Sequence, residues 1–307
     1  MAERDLIDYI RSLAESGASP PWLSVGIGDD AAAAEVPGGG RFLVTTDMLV
    51  EGVHFEAGTP PHAAGRKAVA RAHSDTAAMA ARPLCTLAAA SFPPAWSDAQ
   101  REEFCRALWE TAQEVGAPLI GGDLAGAPGP MTVTVTAIGT PGPSGPVGRG
   151  GARPGDAICV TGRIGGSILA RHLSFSQRIA EALALAERVD LHAMIDVSDG
   201  LSTDALHIAE MSGVSVDIHA ELVPVSADAR TLAARTGRDP LWHALNDGED
   251  YELLFCLPNS QGADLAQAGL DDLPVALIGE VTDHDESRLV TADGTARRLL
   301  PEGWEHR

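Results

Sequence analysis

The sequence predicts a two-domain α/β protein. Its 307 residues correspond to about two domains of roughly 150 residues each. Segments typical of strands alternate with segments typical of helices along the chain. The Pro- and Gly-rich stretch at residues 141–156 interrupts this alternation and cannot continue a helix or a strand. We therefore expect domains at residues 1–140 and 157–307 joined by this linker, with the order of strands in each sheet left open.

The first half is predicted to open with an amphipathic helix. Its apolar residues recur at helical spacing, at Leu6, Ile7, Ile10 and Leu13. The later elements are a strand at 41–50, an Ala-rich helix at 62–81 that Pro83 terminates, a buried strand at 84–92, a helix opened by the capping box of Ser97 and Gln100, a turn at Gly121-Gly122, and an alternating strand at 131–137.

The second half repeats the alternation of strands and helices after the linker. Strands are predicted at 157–161, 193–197, 214–218, 251–257 and 275–278, and helices at 178–188, 201–211 and 227–235.

The composition excludes several classes of partner. Acidic residues outnumber basic ones by 43 to 22, which gives a formal charge of -21. Such a surface repels nucleic-acid phosphates and anionic lipid, so we expect neither as a partner. The N-terminus carries acids where a signal peptide needs a basic region, and no apolar run reaches the ~20 residues of a membrane span. We therefore expect a cytoplasmic protein.

The few cysteines and the single lysine exclude several kinds of site. The four cysteines are widely spaced in apolar stretches, at Cys85, Cys105, Cys159 and Cys256, and form no zinc-binding pair or disulfide framework. They are predicted to be buried thiols. Lys67 is the only lysine and lies inside a predicted helix rather than after a glycine loop, so a P-loop is excluded.

One pattern recurs at the ends of the predicted strands: a small residue next to aspartate. It occurs at Gly28-Asp29-Asp30, Thr45-Thr46-Asp47, Ser74-Asp75, Gly122-Asp123 and Asp196-Val197-Ser198-Asp199-Gly200. Small residues let a ligand approach the backbone, and carboxylates are ligands for magnesium or calcium. If these turns converge, their charges require cations. Each one alone is also explained by ordinary turn and capping chemistry.

The absence of two known sequence motifs restricts the kinds of metal and nucleotide site that the chain can form. No EF-hand spacing is present, which favours magnesium over calcium. The H-R-D and D-F-G motifs of protein kinases are absent as well. An enzyme of this kind that binds a nucleotide would neutralise phosphate with metal ions, glycine-loop amides and arginine.

Eight segments, in order along nearly the whole chain, resemble thiamine-monophosphate kinase. They are GIGDDAA (26–32), LVTTDMLVEGVHF (43–55), LIGGD (119–123), RPGDAICVTG (153–162), AMIDVSDGL (193–201), DALHIAEMSGV (204–214), DGEDYELLF (247–255) and GWEH (303–306). That family is part of the aminoimidazole ribonucleotide synthetase superfamily. The resemblance implies an α+β fold with two domains, mixed sheets with helices packed on them, and a homodimer that binds ATP and several Mg²⁺ ions.

The resemblance also implies a reaction and a set of site residues. The reaction transfers the γ-phosphate of ATP directly, in line, to thiamine monophosphate, and it requires no strong general base because the acceptor phosphate is already ionised. The implied metal ligands are Asp30, Thr45, Thr46, Asp47, Asp75, Asp123, Asp196 and Asp199; ATP contacts are Gly122, Asp123, Arg149 and Ser198; thiamine contacts are His54, Glu249 and Trp304.

Other interpretations stay open. His54 could be a surface or capping histidine, Glu249 could cap the following strand, and Trp304 could anchor the core. The chain departs from the family pattern at Ala72, at Cys105, at Leu124-Ala125-Gly126 and at Gly166. These departures keep two alternatives in view: a paralogue with no catalysis or with another acceptor, and another ATP-dependent member of the superfamily.

Overall fold

The computed structural model describes residues 3–15 and 20–303. The first half contains α1 (Glu3–Glu15), β1 (Leu23–Val25), β2 (Ala32–Glu35), β3 (Arg41–Val50), α2 (Pro61–Ala78), β4 (Ala81–Phe92), α3 (Asp98–Glu114), β5 (Leu119–Gly126) and β6 (Thr132–Pro141). Its strands form a six-stranded sheet in the order β1-β2-β3-β6-β4-β5. The sheet is mixed, because β4 and β5 are parallel and the other pairs are antiparallel.

The inner face of this sheet holds the core of the first half. Val133 and Val135 of β6 are buried, whereas the threonines that alternate with them are half-buried, as the period of two predicts. Helices α2 and α3 pack together over this face, and the capping box of Ser97 and Gln100 begins α3.

The second half contains a seven-stranded sheet. Its elements are β7 (Asp156–Thr161), α4 (Ile179–Arg188), β8 (Ala193–Asp196), α5 (Leu201–Ser212), β9 (Ser215–His219), α6 (Ala227–Thr236), α7 (Pro240–Asn246), β10 (Leu253–Pro258), α8 (Asn259–Ala268), β11 (Val275–Thr282), β12 (Arg288–Val290) and β13 (Ala296–Arg298). The order is β13-β12-β9-β11-β7-β10-β8. Short 3-10 helices lie at Ser167–Leu169, Arg171–Leu173 and Ala220–Leu222. The central strands β7 and β10 are buried on both faces.

Helix α2 connects the two halves. It contacts β3, β4 and β6 of the first sheet, and also α4, β8 and the 3-10 helix at Arg171–Leu173. Its Ala72 packs into the core of the first half, and Ala77 packs into the core of the second half. The side chains along α2 are therefore positioned to form a site between the halves.

Several predicted elements differ from the structure. The turn predicted at Gly121-Gly122 is wrong, because both glycines lie inside β5, which pairs in parallel with β4. The Ala-rich helix ends at Ala78 instead of Ala81, since Ala80 adopts a left-handed conformation (φ 51°). Strand β4 then begins at Ala81 and accommodates Pro83 beside a bulge. The strands β1, β2, β12 and β13 and the helices α7 and α8 were not anticipated from sequence.

The prediction of buried thiols holds for two of the four cysteines. Cys159 and Cys256 are buried on the neighbouring strands β7 and β10, and burial raises the pKa of both thiols, that of Cys159 to about 12. Cys85 and Cys105 are only half-buried, because they lie on elements with one solvent-facing side.

In the described part of the chain, every helix is too short or too polar to cross a membrane.

Candidate active site

Three aspartates meet between the two halves of the protein. Asp30 precedes β2, Asp75 lies in α2, and Asp196 ends β8. One carboxylate oxygen from each lies within 4.8 Å of the others. Three anions at this separation repel one another strongly, more so because Asp30 and Asp196 are buried.

Short polar contacts hold this aspartate cluster in place. The Thr45 hydroxyl on β3 donates to Asp75 Oδ2 at 2.7 Å, and the Ser74 hydroxyl donates to Asp196 Oδ2 at 2.5 Å. Arg149, in the segment between the halves, donates from Nη2 to Asp30 Oδ1 at 2.5 Å. Its backbone N–H also bonds the carboxylate of Asp29.

The electrostatics of the cluster fit a divalent cation. Burial raises the pKa of Asp75 well above its ordinary value, and the charges of Asp47 and Asp196 raise it further. Burial and the neighbouring Asp30 also raise the pKa of Asp196, to about 7. Oδ2 of Asp30 is buried and has no hydrogen-bond partner among the described residues. Carboxylate and hydroxyl oxygens are the donors that Mg²⁺ prefers, so this donor set fits that ion.

Asp47 lies beside the cluster on β3. Thr45 and Asp47 alternate with Thr46 along the strand, so they face α2 while Thr46 faces outward. Asp47 Oδ2 accepts a hydrogen bond from Nε of Arg71 at 3.2 Å.

A cavity of about 620 Å³ lies near the aspartates, because its lining includes Arg71, which contacts Asp47, and Ser198, which follows Asp196 by two residues. This volume lies within the range of small-molecule sites. Both halves of the protein line it, with Gly52, Val53, His54, Phe55, Glu56, Thr59 and Arg71 from the first and Ile168, Leu169, Ala170, His172, Leu173, Ser198, Asp199, Asp247, Gly248, Glu249 and Tyr251 from the second. Its lining combines apolar side chains, such as Val53 and Leu169, with charged ones, such as Arg71 and Glu249, as sites for organic phosphates do.

Glu249 projects into this cavity from a strained loop. Its backbone is left-handed (φ 53°), which is uncommon outside glycine. Its Oε1 accepts a hydrogen bond from Nζ of Lys67 at 2.6 Å, and Oε2 lies 3.1 Å from Nδ1 of His172. Burial alone would raise the pKa of Glu249, but the contacts with His172 and Lys67 outweigh burial and lower it to about 2. Glu249 is therefore a fixed carboxylate.

Lys67 is fully buried and makes three contacts through Nζ. Besides Glu249, it lies 2.6 Å from the carbonyl oxygen of His54 and 2.8 Å from Nδ1 of His172. Burial lowers the pKa of Lys67, and the Glu249 carboxylate opposes that effect. The single lysine of the sequence thus holds together parts of the cavity wall.

His54, Ser198 and Asp199 also lie at the cavity. The His54 ring is oriented by the backbone N–H of Val50, which donates to Nδ1 at 3.0 Å. The carbonyl oxygen of Ser198 accepts a hydrogen bond from the backbone N–H of Glu249. Asp199 groups with Asp204 and His207, each offering one atom within 4.8 Å of the others.

Thr46, Gly122 and Asp123 are not brought to the aspartate cluster within one chain. The register places Asp47, Val135, Ala88 and Gly122 in one row across the sheet. Three strand spacings therefore separate β3 from β5, or roughly 14 Å. Thr46 and Asp123 both lie on the exposed outer face, where the Thr46 hydroxyl contacts that of Thr136 at 3.1 Å.

Only some of the residues at the site were predicted from the sequence. Trp304 lies outside the described residues. The interaction partners of Lys67 and the positions of Arg71, His172 and Tyr251 at the cavity were not anticipated. A usable signal was present in α2, where Lys67, Arg71 and Asp75 recur at intervals of four residues and so share one face.

Comparisons with known proteins identify the family of both halves. Residues 28–140 match AIR synthase related protein, N-terminal domain, and residues 153–291 match AIR synthase related protein, C-terminal domain. The thiamine-monophosphate kinase of Rhodopirellula baltica is 34% identical over 312 residues, covering 99% of this chain and 97% of its own. That of Mycobacterium tuberculosis is 38% identical over 255 residues, covering 77% and 76%.

Solved structures show the same relationship. AaThiL complexed with AMPPCP and TMP aligns with a TM-score of 0.84 at 29% identity, covering 100% of this chain and 97% of its own. The thiamine-monophosphate kinase of Stenotrophomonas maltophilia K279a aligns with a TM-score of 0.72 at 33% identity, covering 97% and 98%. The predicted α+β fold of two domains with mixed sheets is confirmed. The chain belongs to the thiamine-monophosphate kinase family of AIR synthase related proteins.

Proposed function

We propose that the protein transfers the γ-phosphate of ATP to thiamine monophosphate, giving thiamine diphosphate and ADP. The observation that carries this proposal is a cavity of about 620 Å³ near the aspartate cluster: it is lined by Glu249 and by Arg71, and Arg71 contacts Asp47. The relatives named thiamine-monophosphate kinase and the alignment with AaThiL complexed with AMPPCP and TMP support it.

The bond changes require two anions to approach each other. An oxygen of the acceptor phosphate forms a new bond to the γ-phosphorus, and the bond from that phosphorus to the β,γ-bridging oxygen breaks as ADP leaves. Bound Mg²⁺ would screen this repulsion and stabilise the leaving group. Asp30, Asp75 and Asp196 would hold it, with Thr45, Asp47 and Asp199 beside them.

The nucleotide is proposed to lie beside the aspartates. Arg149 and Ser198 would contact it from the second half of the protein, whereas Gly122 and Asp123 lie three strand spacings from β3, or roughly 14 Å, and would not reach it within one chain. Arg149 is suited to this because its guanidinium already faces Asp30 at the aspartate cluster. The thiamine end of the acceptor would enter the cavity, where His54 and Glu249 lie. The Glu249 carboxylate suits the positive thiazolium ring.

A direct assay tests the proposed reaction. Purified protein is incubated with ATP, Mg²⁺ and thiamine monophosphate, and thiamine diphosphate is followed by chromatography. We expect product that requires both the acceptor and Mg²⁺. ATP bound in calorimetry without any product would support the paralogue that does not catalyse, and product from another phosphate acceptor would support altered specificity.

A homodimer is proposed from two exposed apolar surfaces. On α1, Leu6, Ile10 and Leu13 are exposed, although their spacing is that of a buried face. On β5, Ile120 and Leu124 are each 63% exposed. A second copy that packs along β5 would remove the Ile120 and Leu124 side chains from water. Sedimentation of the wild-type protein and of Ile120→Glu tests this, since only the wild-type should sediment as a dimer.

Three further expectations remain proposals. The domains are placed at 1–140 and 157–307 with a linker at 141–156; the two sheets lie on either side of residues 142–155, which contain no helix or strand. The second proposal is a cytoplasmic location. The third is that the protein binds neither nucleic acid nor membranes, which its charge of -21 supports.

A further inference from the structure

Arg71 is a cationic residue that the proposed mechanism does not yet use. It lies on α2 four residues after Lys67 and four before Asp75, so the three side chains share one face of the helix. Lys67 contacts Glu249 at one end of this face, and Asp75 belongs to the aspartate cluster at the other. Arg71 therefore lies between the acceptor cavity and the aspartates.

Arg71 is well placed to meet an anion in the cavity. It is the only arginine or lysine among the described residues that line this cavity. Its Nε donates to Asp47 Oδ2 at 3.2 Å, whereas Nη1 and Nη2 donate to no other residue in the described part of the chain. Two parallel N–H donors of a guanidinium match two oxygens of a phosphate group.

The other cations nearby are already committed to protein acceptors. Lys67 contacts Glu249, His172 and the His54 carbonyl, and Arg149 contacts Asp30. The cavity also presents the carboxylates of Asp199, Asp247 and Glu249. A phosphate monoester entering it meets repulsion unless a cation faces it.

Arg71 stays charged in this environment. An arginine guanidinium is not deprotonated in proteins, and the Asp47 carboxylate faces this one. Its side chain remains 20% exposed, which leaves part of it accessible to a ligand.

We propose that Arg71 binds the phosphate of the acceptor through Nη1 and Nη2 while Nε stays on Asp47. This inference rests on the proposed function and extends it, because it assigns a residue that selects a phosphorylated acceptor over the free alcohol. The γ-phosphate of ATP is the less favoured partner, since Arg71 lines the cavity that extends to Glu249.

Removing the phosphate from the ligand and the guanidinium from the protein tests this contact. Thiamine monophosphate and thiamine are titrated by calorimetry, with Mg²⁺ present, into wild-type, Arg71→Gln and Arg71→Lys proteins. We expect Arg71→Gln to weaken the binding of thiamine monophosphate by about 10-fold or more, which is the loss typical of a hydrogen bond to a charged group. The affinity for thiamine should not change. Arg71→Lys should restore part of the loss. Arg66→Gln is the matched control, because Arg66 lies on the same helix but donates to the Phe175 carbonyl.

Steady-state kinetics separate this inference from the proposed function. If the wild-type protein forms thiamine diphosphate, Arg71→Gln should raise KM for thiamine monophosphate and leave KM for ATP unchanged. Equal losses for both ligands in the titration, or a change confined to Mg²⁺ dependence or to KM for ATP, would overturn the role of Arg71. If the wild-type forms no product, the proposed function fails, and the pair of titrations still decides on Arg71.

Discussion

Nζ of Lys67 lies 2.6 Å from Oε1 of Glu249, a residue 182 positions further along the chain. The lysine is fully buried, so its charge is compensated almost entirely by this carboxylate. The pair also joins α2 of the first half to the loop that precedes β10 of the second. It is therefore both an element of the cavity wall and a connection between the two halves.

Replacing Lys67 by methionine should destabilise the protein. Glu249 would keep its charge without the lysine, and breaking a buried pair from one side costs about 3 kcal/mol or more. Urea unfolding of wild-type, Lys67→Met, Glu249→Gln and the double variant measures the coupling. We expect the double variant to lose less stability than the sum of the single losses. Additive losses would show that the two side chains do not interact.

The Lys67–Glu249 pair should also produce a pH dependence. Glu249 has a pKa of about 2 in the folded protein against 4.5 ordinarily, so the unfolded chain binds the proton first as the pH falls. The stabilisation by ionised Glu249, about 3 kcal/mol by linkage, is present above pH 4.5 and lost as the pH falls towards 2. The stability difference between wild-type and Glu249→Gln, measured by urea unfolding, should shrink over that range. A constant difference would contradict the lowered pKa.

Replacing Asp47 by asparagine should abolish metal-dependent binding of ATP and leave the fold intact. The substitution removes one anionic oxygen ligand beside the aspartate cluster and keeps the size of the side chain. Calorimetry of ATP with and without Mg²⁺ gives the affinity, and circular dichroism reports the fold. Asp190→Asn, far more exposed, serves as the control. Unchanged ATP affinity in Asp47→Asn would remove Asp47 from the metal site.

Replacing Gly122 by alanine should disturb the edge of the first sheet. A Cβ at this position would lie 1.8 Å from the carbonyl oxygen of Ala88, and φ is +155°. We expect a loss of about 1–3 kcal/mol, because the β4–β5 pairing must shift. Gly126→Ala on the same strand is a matched control, since its Cβ would lie 4.0 Å from the nearest atom. Thermal unfolding that is equal for the two variants would contradict the close approach at Gly122.

The cysteines should divide into two classes towards a thiol reagent. Cys159 and Cys256 are fully buried with raised pKa values, whereas Cys85 and Cys105 are half-buried. Ellman's reagent should modify at most two thiols in the native protein and all four cysteines after denaturation. Rapid native modification of more than two would contradict the burial of β7 and β10.

The parts of the site that sequence reasoning anticipated depend on local chemistry. Asp30 follows Gly28 by two residues, Asp75 follows Ser74, and Asp196 lies two residues before Ser198, and the structure brings these three carboxylates together. Asp123 follows the same local rule but lies away from the cluster, because the strand order places β5 at the edge of the sheet and the register places Asp123 on the outer face. Local pattern cannot predict that order.

The contacts that sequence reasoning missed depend on how the halves pack. Lys67 was recognised as unusual, but its partners Glu249 and His172 lie in the other half of the chain. The turn predicted at Gly121-Gly122 failed for a related reason, since pairing with β4 overrides the local preference of glycine. The short strands β1, β12 and β13 have three residues each, too few to show a period.

Two alanines of α2 influence the distance between Glu249 and the aspartate cluster. Ala72 faces one core and Ala77 the other, and both are completely buried. The helix therefore acts as a spacer whose thickness is set by single methyl groups on opposite sides. A larger residue at either position would wedge one sheet outward, and the gap between Glu249 and the aspartates would widen with it. The thickness of α2 thus helps to set the distance that a substrate must span.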